Sequence, residues 1–347
     1  MPPIETIQTR KKIESLYVLK ALSSFFVVAI HTNCLHKEWL DFIVAVGTPC
    51  FLAITGYLLF SNDCTRELKK CIKWAMKLFR LSLICMVVYL IFYCPIVDAT
   101  FTWRTILLNI FTGDRICFPL WYLTALWEAL LLFWLIRKYI PRLISWLPLI
   151  LVLTYILRLY PHLISWEFIE QYRLGLTVRN NAVITSLPFL SIGYLIHKYE
   201  DILLKHINVN VWLPVILVGL FVENQIRIAF DFPRGLFLLL SFPCIAMLML
   251  TCVKYRDFKI PFLCTIGEHH SANIYYYHMF VIAILRYQLN ITSSYETIIT
   301  WLICIPVSIA IRFLISSICS LGIKLHKNII VNSKAPLVDF KSRDTEK

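Results

Sequence analysis

A lysine and a histidine share the first apolar segment of the chain, within the stretch KALSSFFVVAIH. Lys20 and His31 are eleven positions apart, so an α-helix places both on one face with an axial separation of about 16 Å. An ammonium group binds anions, and a neutral imidazole can accept the proton of a hydroxyl group. The pair predicts a groove with an anion site at one end and a base at the other. Taken singly, His31 is also compatible with helix packing, and Lys20 with reaching toward a membrane interface.

A second cationic pair stands at the start of the third apolar segment. Lys77 and Arg80 are three positions apart, which makes them neighbours on one helix face. Such a pair can bind the phosphate groups of a carrier such as coenzyme A, because an arginine presents a fork of donors. The same residues can also act only as determinants of membrane topology, and the residue types leave both interpretations open.

Four further ionisable residues, Glu128, Glu223, His278 and Arg312, fall within apolar segments and are predicted to be buried. Glu223 is predicted at about the depth of His31, so one hypothesis pairs its carboxylate with the imidazole of His31. Metal chemistry and covalent serine chemistry find no support, because the chain has no His-Glu-x-x-His motif, no glycine-rich phosphate loop and no Gly-x-Ser-x-Gly elbow. No permanently bound cofactor and no metal are predicted.

The composition indicates which elements must position these residues. The 347 residues are 59% hydrophobic and 16% charged, with a mean hydropathy of +0.71, which excludes an ordinary soluble domain. We predict an all-α, polytopic membrane helix bundle with about ten transmembrane helices. The expected spans are 15–34, 40–60, 78–97, 118–136, 144–160, 183–197, 209–226, 235–252, 271–287 and 297–321.

The positive residues alternate between the predicted loops, although the net charge of +13 alone could suggest nucleic acid. Clustering in alternate short loops is typical of cytoplasmic loops instead, and it places both termini in the cytoplasm. The expected organisation is a cytoplasmic segment at 1–14, a transmembrane domain at 15–321 and a basic cytoplasmic tail at 322–347, in a multi-pass protein of the cytoplasmic membrane. The stretch RELKKCIKWAMKLFR is either an interfacial amphipathic helix or only a positive loop. The outer loop at about 161–182 is a candidate cover for an outward-facing site.

Several segments together resemble the membrane-bound acyltransferase 3 family over most of the chain. A basic residue, ten intervening positions and a histidine match Lys20 and His31, and KLFR resembles the family's Arg-x-x-Arg element with a lysine at the first position. The stretch TPCFLAITGYLLF resembles the pattern Pro-x-Phe-Phe-x-x-Ser-Gly-Tyr. It departs from that pattern at Leu52 and at Thr55, which keeps a hydroxyl group, while Gly56 permits a close approach between helices.

Two further segments are similar to the family in the same order along the chain. They are FPLWYLTALWEALL, with Trp121 and Tyr122, and IGEHHSANIYYYHMF, with Ser271, Tyr275 and His278. The resemblance implies that acyl-coenzyme A, usually acetyl-coenzyme A, is the donor. It also implies O-acylation of a carbohydrate or lipid-linked sugar on the outer side of the membrane.

The resemblance assigns roles to the residues that match it. Our hypothesis is that Lys77, Arg80 and Lys20 bind the donor. The candidate catalytic residues are His31 and Lys20, with His31 activating the acceptor hydroxyl or carrying the acyl group transiently. The expected partners are the lipid bilayer, acyl-coenzyme A and the sugar acceptor, without nucleic acid; a homo-oligomer is left open.

Two rival functions remain at this point. A transporter or flippase of a lipid-linked glycan would use the buried charges as a permeation route, although we find no inverted repeat with paired broken helices. A membrane scaffold would use the same polar residues only for packing, but the coincidence of several motifs favours the enzyme.

Overall fold

The computed structural model describes residues 12–32, 41–113, 116–159, 181–230, 239–293 and 295–333. This part of the chain consists of helices and the short turns that connect them, with no strand in it. A helix satisfies its own backbone N–H and C=O groups, which suits side chains that are apolar on most faces. The α-helices discussed below are α1 (Glu14–His31), α2 (Asp41–Val44), α3 (Gly47–Leu59), α4 (Cys64–Val88), α5 (Trp103–Thr112), α6 (Trp121–Tyr139), α7 (Leu149–Leu159), α8 (Leu187–Lys198), α9 (Glu200–His206), α10 (Val209–Ala229), α11 (Ser241–Lys254), α12 (Pro261–His269), α13 (Ser271–Ala283) and α14 (Glu296–Ser333).

Five stretches of the described chain are long and apolar enough to cross a membrane. They are Glu14–His31, Phe42–Leu59, Cys64–Ile96, Val209–Ala229 and Glu296–Leu314. These match the first, second, third, seventh and tenth predicted spans, so the all-α class and the membrane character are confirmed. Helices also lie within the other five predicted intervals, but they are shorter or less apolar. Ten crossings and cytoplasmic termini therefore stay predictions.

The structure departs from the predicted element boundaries in four places. Helices α5, α9 and α12 lie in predicted loops, and with ten, seven and nine residues they are too short to produce the long apolar pattern of a span. Helix α14 continues to Ser333, past the predicted end of the last span at residue 321. The candidate cover at 161–182 lies almost entirely outside the described residues.

Helix α4 contains the basic stretch RELKKCIKWAMKLFR. The helix begins after Asp63, whose side chain accepts a hydrogen bond from the backbone N–H of Thr65 (2.8 Å). The stretch is therefore helical, as the amphipathic-helix interpretation predicts, and it runs directly into the third apolar segment. A π-helical turn at Tyr89–Tyr93 follows, and the Tyr89 hydroxyl donates to the carbonyl of Tyr276 (2.9 Å). This bond docks α4 against α13.

Glycines allow the central helices to touch backbone to backbone. A Cβ on Gly56 of α3 would lie 1.8 Å from the carbonyl oxygen of Leu190 in α8, and one on Gly193 of α8 would lie 1.7 Å from that of Ala53. The contact is reciprocal, as in small-residue packing of membrane helices. The close approach expected at Gly56 is confirmed, and it fixes the helix that carries Phe51 and Thr55.

Different contacts join the helices at the two ends of the bundle. At one end the backbone N–H of Glu14 donates to the carbonyl of Arg256 (2.9 Å), and the guanidinium of Arg256 pairs with Glu200 (2.8 Å). At the opposite end the hydroxyl groups of Thr32 and Thr297 are 2.5 Å apart. We call these the inner end and the outer end. Loops predicted to face the cytoplasm are thus joined to one another, and α1 and α14 run in opposite directions.

Candidate active site

A cavity of about 370 Å³ opens between α1, α3, α4, α6 and α13. The side chains that matter for its chemistry are Lys20, Thr55, Trp74, Lys77, Tyr122 and Tyr275. Two lysines predicted separately on different helices therefore line one space. Within the described part of the chain, neither lysine forms an ion pair with a carboxylate. Two positive charges without such partners favour an anionic ligand.

Arg80 does not join this cavity. It lies one turn beyond Lys77 on α4 and is exposed, outside the lining. The structure thus brings Lys20 and Lys77 together and leaves Arg80 at the surface beside them. The stem of Lys20 passes along α1, with its ammonium group 5.9 Å from the ring centroid of Tyr17. This places the Lys20 end of the groove near the inner end of the bundle.

Three segments that resemble the family meet at one aromatic wall of the cavity. The hydroxyl of Tyr275 donates to the carbonyl of Pro119, which joins α13 to the start of α6. The rings of Tyr122 and Tyr275 are 4.8 Å apart, and the ring of Phe51 is 6.5 Å from that of Tyr122. Trp121 is buried and lies edge-on to Tyr122 at 6.2 Å. These motifs, distant in sequence, therefore build one surface.

The aromatic wall continues along α13 to two histidines near the outer end. The ring of His278, one helical turn beyond Tyr275, lies 5.9 Å from the tyrosine ring. The rings of His278 and His31 are 5.2 Å apart with their planes 35° from parallel. His278 is fully buried, whereas His31 is half-buried at the last residue of α1. The two imidazoles lie outside the lining of the cavity, and the ring of Tyr275 links them to it.

An ion pair between the half-buried Arg286 and the buried Glu296 holds the outer end of α1. The Nε of Arg286 lies 2.6 Å from Oε1 of Glu296, and its Nη2 lies 2.9 Å from Oε2. The same Nη2 donates to the carbonyl of His31 (3.1 Å), which satisfies a helix-terminal acceptor. Sequence analysis missed both residues. The available signal was an arginine inside the predicted span 271–287, where a charge is costly without a partner.

The predicted pairing of Glu223 with His31 is wrong. The carboxylate of Glu223 accepts hydrogen bonds from the hydroxyl of Tyr155 (3.2 Å) and from the backbone N–H groups of Leu239 and Leu240, just before α11. These contacts join α10 to α7 and α11. Equal predicted depth in the membrane does not determine which helices are neighbours, and His278 occupies the place assigned to Glu223.

The other predicted candidates lie outside the cavity. Ser271 is buried, and its hydroxyl donates to the carbonyl of Gly267 within the same helical region (2.9 Å). Glu128 is half-buried on α6 and does not line the cavity. Arg312 is exposed on α14, so the prediction that it is buried is wrong.

The described helices thus bring Lys20 and Lys77 into one cavity and place His31 beside His278. A comparison with protein-family models identifies the reaction class: residues 13–317 match the model described as an acyltransferase domain, so the chain belongs to the acyltransferase 3 family. The protein is therefore a membrane acyltransferase. Comparisons with curated proteins and with solved structures found no match.

Proposed function

We propose that this acyltransferase moves an acyl group, in the simplest case acetyl, from cytoplasmic acyl-coenzyme A to a hydroxyl of an extracytoplasmic glycan or lipid-linked sugar. The observation that carries the proposal is one continuous arrangement of side chains. It begins with Lys20 and Lys77 in the cavity, follows the wall formed by Tyr122 and Tyr275, and ends at His31. Acyl-coenzyme A is a substrate in this account.

The inner part of the cavity suits the donor. Lys77 and Lys20 offer ammonium groups to the phosphates of the nucleotide, and Arg80 on the next turn of α4 can reach phosphates that project from the opening. Trp74 offers an aromatic face to the adenine. The axial distance of about 16 Å between Lys20 and His31 is similar to the length of an extended phosphopantetheine arm. A donor anchored by the lysines therefore presents its thioester near the histidine.

The outer part of the site suits the transfer step. The imidazole of His31 takes the proton of the acceptor hydroxyl as its oxygen attacks the thioester carbonyl carbon. The carbon–sulfur bond then breaks, and the departing thiolate receives the proton, leaving an ester and free coenzyme A. A second route forms an acyl-histidine at His31 first, which mass spectrometry would detect as acetylated His31 after incubation with the donor alone.

The proposed reaction needs the two ends of the bundle to face different compartments. We place the inner end, with the basic loops and both termini, in the cytoplasm, and the outer end, with His31, toward the extracytoplasmic side. The protein is then a multi-pass component of the cytoplasmic membrane. Its partners are the bilayer, acyl-coenzyme A and the sugar acceptor.

Purified protein in liposomes tests the proposal. Acetyl-coenzyme A with a radiolabelled acetyl group is added on one side only, and a mixture of polysaccharides and lipid-linked sugars on the other. We expect protein-dependent formation of labelled, alkali-labile sugar esters only when the donor is on the side of the basic loops. A result that contradicts the proposal is movement of a sugar across the membrane without donor consumption, or no protein-dependent label transfer to any acceptor in the mixture.

A further inference from the structure

One nitrogen of His278 is buried without a hydrogen-bond partner. The side chain has no exposed surface, and Nε2 contacts no donor or acceptor within the described part of the chain. Leaving a polar atom in this state costs free energy, so a native structure that keeps one calls for an explanation. A leucine would fill the same space without that cost.

The other ring nitrogen determines the tautomer of His278. Its Nδ1 lies 2.8 Å from the carbonyl oxygen of Tyr275, and a carbonyl can only accept a hydrogen bond. Nδ1 therefore carries the proton in the neutral ring, which leaves the lone pair on Nε2. The backbone of α13 thus orients His278 as a proton acceptor.

His31 is the neighbour that can use this acceptor. The two ring centroids are 5.2 Å apart, which lets a small rotation of one ring bring a nitrogen of each within hydrogen-bond distance. The charged groups described at this end are Arg286, which donates to the backbone carbonyl of His31, and Glu296, which pairs with Arg286.

We propose that His278 is a positioning residue for the transfer step, and that it accepts a hydrogen bond from protonated His31. This inference rests on the proposed function. When the acceptor oxygen bonds to the thioester carbon, its proton moves to His31, and the opposite N–H of His31 is held by Nε2 of His278. The proton returns from His31 to the departing thiolate, so His278 ends the cycle unchanged. Arg286 fixes the backbone of His31, while His278 fixes the ring.

The test is chosen so that it does not depend on knowing the acceptor. Diethyl pyrocarbonate acylates an imidazole only in its neutral form. The rate at which the His31 ring is modified, followed by mass spectrometry of its peptide against pH, therefore reports the protonation of His31 in the full-length protein. In His278→Leu the partner that stabilises protonated His31 is absent. We expect the pH at which the modification rate of His31 is half-maximal to fall by about one unit. This is the size of effect expected for one hydrogen bond to a charged group.

Two matched variants separate this effect from general damage. His278→Gln keeps a side-chain acceptor and is expected to restore at least half of the shift. His270→Gln changes another buried histidine, whose Nδ1 lies 2.8 Å from the Ser308 hydroxyl near the inner end, and is expected to leave the His31 titration unchanged. If His278→Leu does not fold, the comparison of wild type with His278→Gln still decides, because glutamine is the weaker acceptor and must move the midpoint downward. Equal midpoints in wild type and the His278 variants would overturn the inference.

Acyl transfer supplies a second readout that tells the two proposals apart. We expect His278→Leu to lower kcat about 10²-fold with an unchanged KM for acetyl-coenzyme A. Wild-type kcat in His278→Leu, in a preparation where wild type transfers acyl groups, would contradict the positioning role alone. If wild type itself transfers no acyl group, the proposed function fails, while the titration of His31 still decides whether the two histidines are paired.

Discussion

The two ends of the bundle each contain a fully buried glutamate paired with an arginine. The inner pair connects two helices, whereas the outer pair also positions the backbone of His31. At the inner end Glu67 pairs with Arg137 (2.7 Å) and accepts the backbone N–H of Ser61 (2.8 Å). This pair connects the N-terminal part of α4 to the C-terminal part of α6. At the outer end Arg286 pairs with Glu296, and its guanidinium also donates to the carbonyl of His31.

The difference shows that a buried ion pair can serve stability alone or stability together with a site. Burying two charges is costly, and apolar replacements of both members are often tolerated, whereas removing one member leaves an uncompensated charge. The inner pair lies outside the lining of the cavity that contains Lys20 and Lys77. Its role is to stabilise the helix ends. The outer pair sets the position of the residue proposed to act as base. The two pairs should therefore respond alike in stability and differently in catalysis.

Removing the arginine of each pair gives the largest expected effects. Arg286→Met and Arg137→Met each leave a buried glutamate without its cation, and we expect each to lower the free energy of unfolding by about 3–5 kcal/mol. Thermal unfolding in the same detergent measures this loss. The activity per folded molecule should fall about tenfold or more in Arg286→Met and remain near the wild-type value in Arg137→Met.

The double replacements serve as the control for this pair of variants. Arg286→Met with Glu296→Met removes both charges and is expected to recover much of the stability while the activity stays low, because the grip on the His31 carbonyl is still missing. Recovery of full activity in the double variant would show that the outer pair has only a structural role, like the inner pair.

Gly56→Ala tests the helix contact that positions the cavity wall. The new Cβ would lie 1.8 Å from a backbone oxygen that cannot rotate away, so we expect a loss of about 3 kcal/mol or more in stability. Gly219→Ala is the matched control, since its nearest neighbour is the flexible end of Leu240 at 2.8 Å. Similar thermal stability of the two variants would contradict the close contact of α3 with α8.

The sequence predicts contacts within one helix far better than contacts between helices. The arrangement of Lys20 and His31 follows from helical geometry alone, and the apolar runs predict the long helices because membrane and helix lengths are linked. The neighbour of His31 depends on which helices pack together, and predicted depth in the membrane does not determine this. Predicted depth indicated Glu223, but in the structure the ring next to His31 is that of His278. Residue Glu296 was missed because it stands just before the predicted tenth span, where a carboxylate is unremarkable until its partner is known.

Measurements of donor binding can distinguish the two lysines of the cavity from Arg80, which lies outside it. Lys20→Gln and Lys77→Gln each remove a cation from the cavity, and we expect each to raise the KM for acetyl-coenzyme A about tenfold with little change in kcat, the size of one charge-assisted hydrogen bond. Arg80→Gln removes a cation at the exposed rim and is expected to raise KM about twofold. Initial rates at varied donor concentration measure both. A larger effect at Arg80 than at Lys77 would mean that the phosphates bind outside the cavity.

We propose that the donor binds at the end of the site with Lys20 and Lys77, and that proton transfer occurs at the end with His31. The most direct test measures kcat and KM for acetyl-coenzyme A in reconstituted wild type and in His31→Ala, with folding checked in the same preparation. We expect kcat to fall by about 10²–10⁴-fold in His31→Ala while KM stays within about twofold. Full transfer activity in His31→Ala, or a rise in KM as large as that of the lysine variants, would contradict it.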